Sequence, residues 1–547
     1  MSHNLATLFG RVSAANPART SMVFRDRRVS YLTLGKRANQ LANFFLAHGV
    51  SLNVERSELA PWESGQSHVA LLMLNGNEYL EATFGAYAAR AVPFNVNYRY
   101  TSHELAYVLN DADAAVVIFQ ARFFQTLYDA LPKLRRQPLL IQVGDDSGIE
   151  ANADILRYDD ILASYPATVP SVELSPDDLH LLYTGGTTGM PKGTMWRQGD
   201  LFDCVLSTVV SRLRADQSSA DAIASASANT APLCVLAAAP FIHGASYWSA
   251  VGSLLAGDTL VIQSEVTRLD CRDIWATVQQ EGVSTLNVVG EAFLRPLCDE
   301  LETRNYDVSS LRVVVTGGAA TSPETKARLF RLLPEIILFE AGGASESGRQ
   351  LLQIHRSGEQ PRANVFRAET GTCILSADRT RVLGEELNEE GWLARSGPLP
   401  LGYLNDREKT EATFPTICGT RMSVPGDRAK LLPEGLIELL GRESTTINTG
   451  GEKVFAEEVE QALLRHHAVR DVIVVGRPSP RWGQEVVAIV ELTPGVDIRD
   501  EEIVESSGDV LARYKLPKAL IKVEAVRRSP TGKADYSWAR DVAALHQ

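Results

Sequence analysis

Eleven consecutive residues, Tyr183-Thr184-Gly185-Gly186-Thr187-Thr188-Gly189-Met190-Pro191-Lys192-Gly193, combine four glycines, three threonines and a lysine. This mixture suits a loop wrapped around polyphosphate. Glycines let main-chain N–H groups turn inward on phosphate oxygens, threonine hydroxyls add donors, and Lys192 adds a positive charge. The apolar run Leu179-His180-Leu181-Leu182 reads as a strand that delivers the loop to a cleft. A Walker-type loop is excluded, because that motif opens a helix directly at Gly-Lys-Ser/Thr, whereas Pro191 and Gly193 flank Lys192 and resist helix continuation. The chemistry indicated is that of ATP.

Four further segments follow in order: Val313-Val314-Val315-Thr316-Gly317-Gly318-Ala319-Ala320, Gly342-Gly343-Ala344-Ser345-Glu346, Val424-Pro425-Gly426-Asp427-Arg428 and Ser529-Pro530-Thr531-Gly532-Lys533. With the glycine-rich loop they resemble the adenylate-forming superfamily of acyl-CoA synthetases, peptide-synthetase adenylation domains and luciferases, over nearly the whole chain. Met195-Trp196-Arg197, Pro240-Phe241-Ile242-His243-Gly244 and Ile447-Asn448-Thr449-Gly450-Gly451-Glu452-Lys453-Val454 are most similar to bacterial fatty-acyl and sterol-side-chain acyl-CoA synthetases.

The resemblance implies a role for each segment. Thr184, Gly185, Gly186, Thr187, Thr188, Gly189 and Lys192 would hold phosphates. Gly317, Gly318, Ala319, Gly342 and Gly343 would lie against adenine and the acyl carboxylate, Ser345 near the α-phosphate, and Glu346 on Mg²⁺, since a carboxylate beside phosphates calls for a hard cation between them. Asp427 would accept both ribose hydroxyls, and Arg442 would contact the nucleotide. Lys533 would reach from a small C-terminal domain to the carboxylate and α-phosphate, a task that suits a point charge on a flexible stem. His243 and Trp248 would mark the acyl pocket, and Gly450 and Gly451 the path of CoA. Gly342 replaces the family's usual aromatic residue, Ala320 its frequent proline, and Ser444 its hinge Asp or Lys. The small residues of these segments, with Val288, Val289 and Phe293, are expected to leave a wide apolar channel.

The activity implied is ATP- and Mg²⁺-dependent synthesis of an acyl-CoA from a medium-chain, long-chain or sterol-like acid, by way of acyl-AMP. Transfer to a carrier protein, or a non-catalytic nucleotide-binding role, stand as alternatives.

Composition sets outer bounds. The 547 residues exceed one compact core, while 45% hydrophobic and 22% charged residues describe an ordinary globular chain. A net charge of −13 argues against nucleic acid as a partner, so anionic ATP and CoA need local positive groups. Six scattered cysteines without a Cys-x-x-Cys pair read as reduced thiols of a cytoplasmic protein. Ala222 to Gly257 lacks any charged residue, yet Pro240, His243 and Ser246 interrupt it. It is expected to hold a buried helix after His243 rather than a membrane span, with peripheral membrane contact left open. The oligomeric state is not legible.

Apolar runs at His68–Leu74, Ala114–Phe119, Thr259–Ile262, Val283–Val289, Leu311–Val315 and Ile336–Phe339 alternate with helical patterns, which predicts an α/β domain with parallel-rich sheets covered by helices. Thr101 to Glu104 spells a capping box, and Ser322-Pro323 a helix start. Glu55–Gly65 reads as a surface excursion and Ala/Ser-rich Asp216–Thr230 as a second, mobile one. Two strands around Pro433-Glu434-Gly435 suggest a small β subdomain. The expected division is residues 1–441 for AMP and acyl binding and 442–547 for a mobile α+β domain.

Overall fold

The alternation of buried side chains along the strands decides the layering. In the sheet that carries His68–Leu72 and Ala114–Gln120, Val69, Leu71, Val116 and Ile118 pack into one apolar core, while Ala70, Leu72, Val117 and Phe119 pack into another. A strand buried on both faces needs helices above and below, and a parallel order supplies them through its crossovers. The computed structural model of the chain describes residues 3–150, 155–186, 189–318, 321–359, 364–384, 389–442, 445–449, 452–479, 483–508, 511, 513–529 and 532–546. Thr187, Thr188, Ala319, Ala320, Ser444, Gly450 and Gly451 lie outside the described residues, as does the Arg442 side chain.

Two large sheets form the main body. The first has eight strands, in the order Gly402–Tyr403, Gly189–Arg197, Leu179–Gly186, Val92–Asn95, His68–Leu72, Ala114–Gln120, Leu139–Val143 and Leu156–Arg157. From Leu179–Gly186 onward its neighbours run parallel, and the two leading strands are antiparallel. The second has fourteen strands. Its parallel part ends at Val313–Gly317 beside Ile337–Ala344, and from Gly348–His355 the pairing turns antiparallel and continues through Leu436–Arg442 into the small β region whose edge strand is Val382–Leu383. A separate five-stranded sheet begins at Thr446–Thr449 and carries the helices Ala456–Leu463 and Tyr536–Leu545 on opposite faces.

Thr101 and Glu104 form the capping box, and Ser322 caps a helix with proline at its first position. The helix expected after His243 spans Gly244–Leu255, and among the described residues no helix is long and apolar enough to cross a membrane.

One expectation fails. Asp216–Thr230 is not a mobile excursion but contains the helix Ala220–Asn229, capped by Ser219. Its small residues permit close approach to the N-terminal helix Leu5–Ala15, and Asn16 and Arg19 hydrogen-bond the buried Ser227 at 2.8 Å each. Alanine-rich composition was thus a sign of helix and tight packing, not of looseness.

Behind the strand Ile337–Ala344 sits a buried ionic group. The Glu340 carboxylate accepts from Lys326 and from His355 at 3.2 Å, all three side chains being nearly inaccessible. Burial alone would push the Glu340 carboxyl up, but the His355 and Lys326 partners outweigh it and hold it below the usual carboxylate range. A carboxyl depressed in the folded state contributes stability above its unfolded pKa and loses it as pH falls through the folded value. Glu340→Gln strands the Lys326 charge, so we expect a loss of about 3–5 kcal/mol. Urea melts of the two proteins should show this gap at pH 7 and its narrowing at pH values below the ordinary carboxylate range.

Candidate functional site

Two hairpins, one from each large sheet, meet at the centre. The phosphate hairpin is Leu179–Gly186 with Gly189–Arg197, in which Thr184 pairs with Lys192 and Gly186 with Gly189. Strand geometry on both sides of the tip explains why Pro191 and Gly193 flank the lysine. A side chain at 193 would run into Leu181 at 2.8 Å and Tyr183 at 2.9 Å. The acidic hairpin is Ile337–Ala344 with Gly348–His355, and its turn holds Ser345, Glu346 and Ser347.

Hydrogen bonds join the hairpins. The indole N–H of Trp196 donates to the Ser345 main-chain oxygen at 2.9 Å, and the Thr184 and Ser345 hydroxyls lie 3.3 Å apart. The Ser345 hydroxyl donates to Glu346 at 2.9 Å, and the Tyr403 phenol donates to the other oxygen of that carboxylate at 2.7 Å. Lys192 pairs with Asp406 and lies 5.8 Å from the centre of the Tyr403 ring. The chain therefore brings Thr184, Lys192, Ser345 and Glu346 together, as the sequence suggested. One carboxylate beside two hydroxyls is a hard-oxygen set that fits Mg²⁺, which takes one or two protein carboxylates and completes its shell with water and phosphate.

Close main-chain packing accounts for several glycines. A Cβ at Gly317 would sit 2.7 Å from the Ala341 oxygen, one at Gly343 would sit 2.1 Å from the Gly348 oxygen, and one at Gly342 would press on Leu351 at 3.2 Å. Gly317, Gly342 and Gly343 are small because the neighbouring strand fills their space, so they do not widen a channel as the sequence had suggested. Val288, Val289 and Phe293 are core residues. Gly318, with φ +76°, has only Val289 near among the described residues and lies where the strand Val313–Gly317 ends. Asp427 opens the strand Asp427–Leu431 and pairs in register with Arg442.

Lys533 arrives from the C-terminal region. Its loop is fixed from behind: Arg528 donates to the Gly532 oxygen at 3.0 Å while gripping Asp471 through two contacts of 2.6 Å. Gly532, at φ +70°, seats against the helix Gly290–Thr303, where a Cβ would fall 2.6 Å from that of Ala292. On the same helix Arg295 donates to the Arg470 oxygen of the C-terminal sheet. Lys533 is thereby held within electrostatic reach of His243. Burial, then the Lys533 and Arg99 charges, push the His243 imidazole down to about 3, so the ring is neutral. Its Nε2 is buried with no hydrogen-bond partner among the described residues. Trp248 is a core residue: its N–H donates to His180 Nε2 at 3.2 Å and its ring meets Trp196 edge-on.

Sequence reasoning missed Tyr403, Asp406 and Asn95. Asn95 exchanges two 2.7 Å hydrogen bonds with the Tyr183 main chain and donates to the Ile242 oxygen at 2.6 Å, which ties the phosphate hairpin to the segment before His243. Its place at the end of a parallel strand was the available signal. Asp406 lies 214 residues from Lys192, and nothing local announces the pairing.

The AMP-binding enzyme family matches residues 9–401, and the family's C-terminal domain matches 458–533. The chain belongs to the AMP-binding enzyme family. This AMP-binding enzyme is 44% identical to the medium-chain acyl-CoA ligase Mig of Mycobacterium avium, over 97% of this chain and 96% of that one. It is 33% identical to a 3-oxocholest-4-en-26-oate–CoA ligase of Rhodococcus rhodochrous, over 100% and 97% of the two chains. Among solved structures, a Mycobacterium tuberculosis fatty acyl CoA synthetase superposes with a TM-score of 0.71 at 25% identity, covering 99% of this chain and 98% of that one.

Glu346→Gln removes the charge and keeps an acceptor oxygen for one of the Ser345 and Tyr403 hydroxyls, the other of which can turn to accept from the new amide N–H. We expect the Mg²⁺ concentration for half-maximal turnover to rise roughly tenfold or more, with binding of the free acid little changed. A Mg²⁺ titration that superposes on that of the parent would make Glu346 structural.

Proposed function

We propose that the chain joins a medium-chain, long-chain or sterol-side-chain carboxylic acid to CoA through an acyl adenylate held between the two hairpins and Lys533. It is an acid–thiol ligase of the AMP-forming kind, with ATP, Mg²⁺ and CoA as reactants and metal. The single observation that carries the site assignment is the seating of the Gly532-Lys533 loop on the helix Gly290–Thr303, beside His243. It supports a role for a cation from the far end of the chain near His243, a segment that Asn95 ties to the hairpin of Thr184 and Lys192.

The first half-reaction makes a bond from a carboxylate oxygen of the acid to the α-phosphorus and breaks the bond from that phosphorus to the pyrophosphate oxygen. Negative charge crowds the phosphate oxygens as this happens, and fixed donors aimed at them lower the barrier. In our reading Lys192 and the hairpin tip face the β and γ phosphates, while the Thr184 and Ser345 hydroxyls face the α-phosphate. Glu346, with the Ser345 hydroxyl beside it, would hold Mg²⁺, which would supply positive charge to neutralise part of the phosphate charge. Lys533 draws the carboxylate and the α-phosphate together, which supplies alignment as well as charge. Asp427 accepts from the ribose, and the neutral His243 offers its unpartnered Nε2 to the acyl end. In the second half-reaction the CoA sulfur attacks the acyl carbon and AMP leaves with the bridging oxygen, with Gly450 and Gly451 as the expected CoA path.

The division into residues 1–441 and 442–547 is part of this proposal. It is supported by the strand Leu436–Arg442, which belongs to the fourteen-stranded sheet, and by Thr446–Thr449, which opens the five-stranded one. A cytoplasmic location is supported by six cysteines that are all free thiols.

Lys533→Ala is expected to abolish acid-dependent exchange of pyrophosphate into ATP while sparing thioester formation from supplied acyl-AMP, because the crowded phosphate charge is gone once pyrophosphate has left. Equal loss of both half-reactions in a folded variant overturns that role. For the acid itself, a panel assayed by AMP release should give long-chain or fused-ring acids a kcat/KM at least roughly a hundredfold above acetate, the yield of a few buried methylenes. Comparable constants for acetate and a steroid acid would refute the acyl class and leave adenylation standing.

A further inference from the structure

Segment 402–406 touches both charged groups of the phosphate site. It pairs with the phosphate hairpin through Gly402 to Met195 and Tyr403 to Thr194, and its Leu404 N–H donates to the Gly193 oxygen at 2.8 Å. From that position the Asp406 carboxylate takes Lys192, and the Tyr403 hydroxyl takes Glu346 at 2.7 Å. Asp111, which accepts from Tyr183 at 2.6 Å, adds a further carboxylate to the surroundings of Lys192. The Lys192 and Asp406 side chains are 40% and 30% exposed, so the pair is reached by water and can open at little cost.

We propose that Asp406 is a further residue of the reaction, the anion that holds Lys192 when no phosphate is bound and takes it back as pyrophosphate departs. The inference rests on the reading of Lys192 as a phosphate contact. Lys192 has one charge to give and two competing acceptors, the carboxylate and the polyphosphate. Every ATP that binds must displace Asp406, and every pyrophosphate that leaves is replaced by it. The carboxylate also stands as a like charge beside a strongly anionic ligand, which disfavours retention of pyrophosphate after adenylation. Burial alone would raise the Asp406 carboxyl, but Lys192 and the Lys409 N–H outweigh it, so the group stays ionised at neutral pH.

The local structure permits a clean test. The second carboxylate oxygen of Asp406 caps the helix Arg407–Thr413 by accepting from the Lys409 N–H at 2.9 Å, and both asparagine and serine keep that cap while removing the charge. Calorimetric titration of inorganic pyrophosphate and of ATP with Mg²⁺ should give dissociation constants on the order of fivefold lower for Asp406→Asn and for Asp406→Ser than for the parent. Pyrophosphate should also inhibit AMP-forming turnover at correspondingly lower concentration. In a Lys192→Met background the Asp406→Asn change should have a clearly smaller effect, because the shared cation is gone and only the like-charge repulsion remains to be relieved; an effect as large as in the parent overturns the proposal. Unchanged or weaker pyrophosphate binding in both Asp406 variants overturns the proposal. Lys192→Met that binds ATP as tightly as the parent overturns the reading of Lys192 itself, and the proposal with it.

Discussion

The hydrogen bond from the Trp196 indole to the Ser345 main-chain oxygen, 2.9 Å long, is the contact on which the site depends. It crosses from the eight-stranded sheet to the fourteen-stranded one and fixes the phosphate hairpin against the acidic turn. Trp196 is fully buried, so the ring cannot swing out and trade the carbonyl for water. Behind it the order continues without a gap. Trp248 meets Trp196 at a centroid distance of 6.0 Å and donates to His180, whose Nδ1 lies 2.7 Å from the Tyr87 hydroxyl. Burial pushes His180 down to about 3, so it is neutral, and with Nε2 accepting from Trp248 its proton resides on Nδ1. A buried aromatic wall thus runs from the helix Gly244–Leu255 to the acidic turn. Each polar atom in it has a partner, which is what allows polar groups to sit in a core without loosening it.

The second constraint is the change of strand direction at Ile337–Ala344. On one side that strand is parallel to Val313–Gly317, and on the other it is antiparallel to Gly348–His355. A parallel neighbour leaves the end of the strand open to a cleft, while an antiparallel one returns the chain at once through a tight turn. The acidic turn exists because both occur on the same strand. The ion pair of Lys326 with Glu340 anchors this strand from beneath, six residues before Glu346, and stiffens the element that carries the acidic turn.

Much of this was legible in the sequence, for a reason that can be stated. The strand that enters the glycine-rich segment, the strands expected at Thr259–Ile262 and Ala114–Phe119, and the caps at Thr101 and Ser322 are local features, written in residues a few places apart, whereas the return strand Gly189–Arg197 was expected as loop. The segments that come together at the two hairpins could therefore be named in advance. What was not legible depends on residues distant in the chain. Asp406 meets Lys192 and Tyr403 meets Glu346 only because the strand Gly402–Tyr403 adds itself to the edge of the phosphate hairpin, and a two-residue strand leaves no periodicity to read. The smallness of Gly317 and Gly343 was visible, but its cause was not: composition cannot distinguish a glycine that leaves space from one whose space a neighbouring carbonyl already fills. The helix Ala220–Asn229 was misread for a similar reason, since alanine and serine are as frequent in loose segments as in tightly packed helices.

The seating of Gly532 on Ala292 is a contact of shape between the C-terminal region and the main body, close to the hydrogen bond from Arg295 to the Arg470 oxygen. No charge takes part in that contact, and a single methyl group at either residue changes the separation. Position 292 therefore works as a spacer under the arm that carries Lys533. Descendants of this chain could shift the balance between making the adenylate and consuming it by carbon-by-carbon changes at one helix surface, while every charged residue of the site stayed as it is.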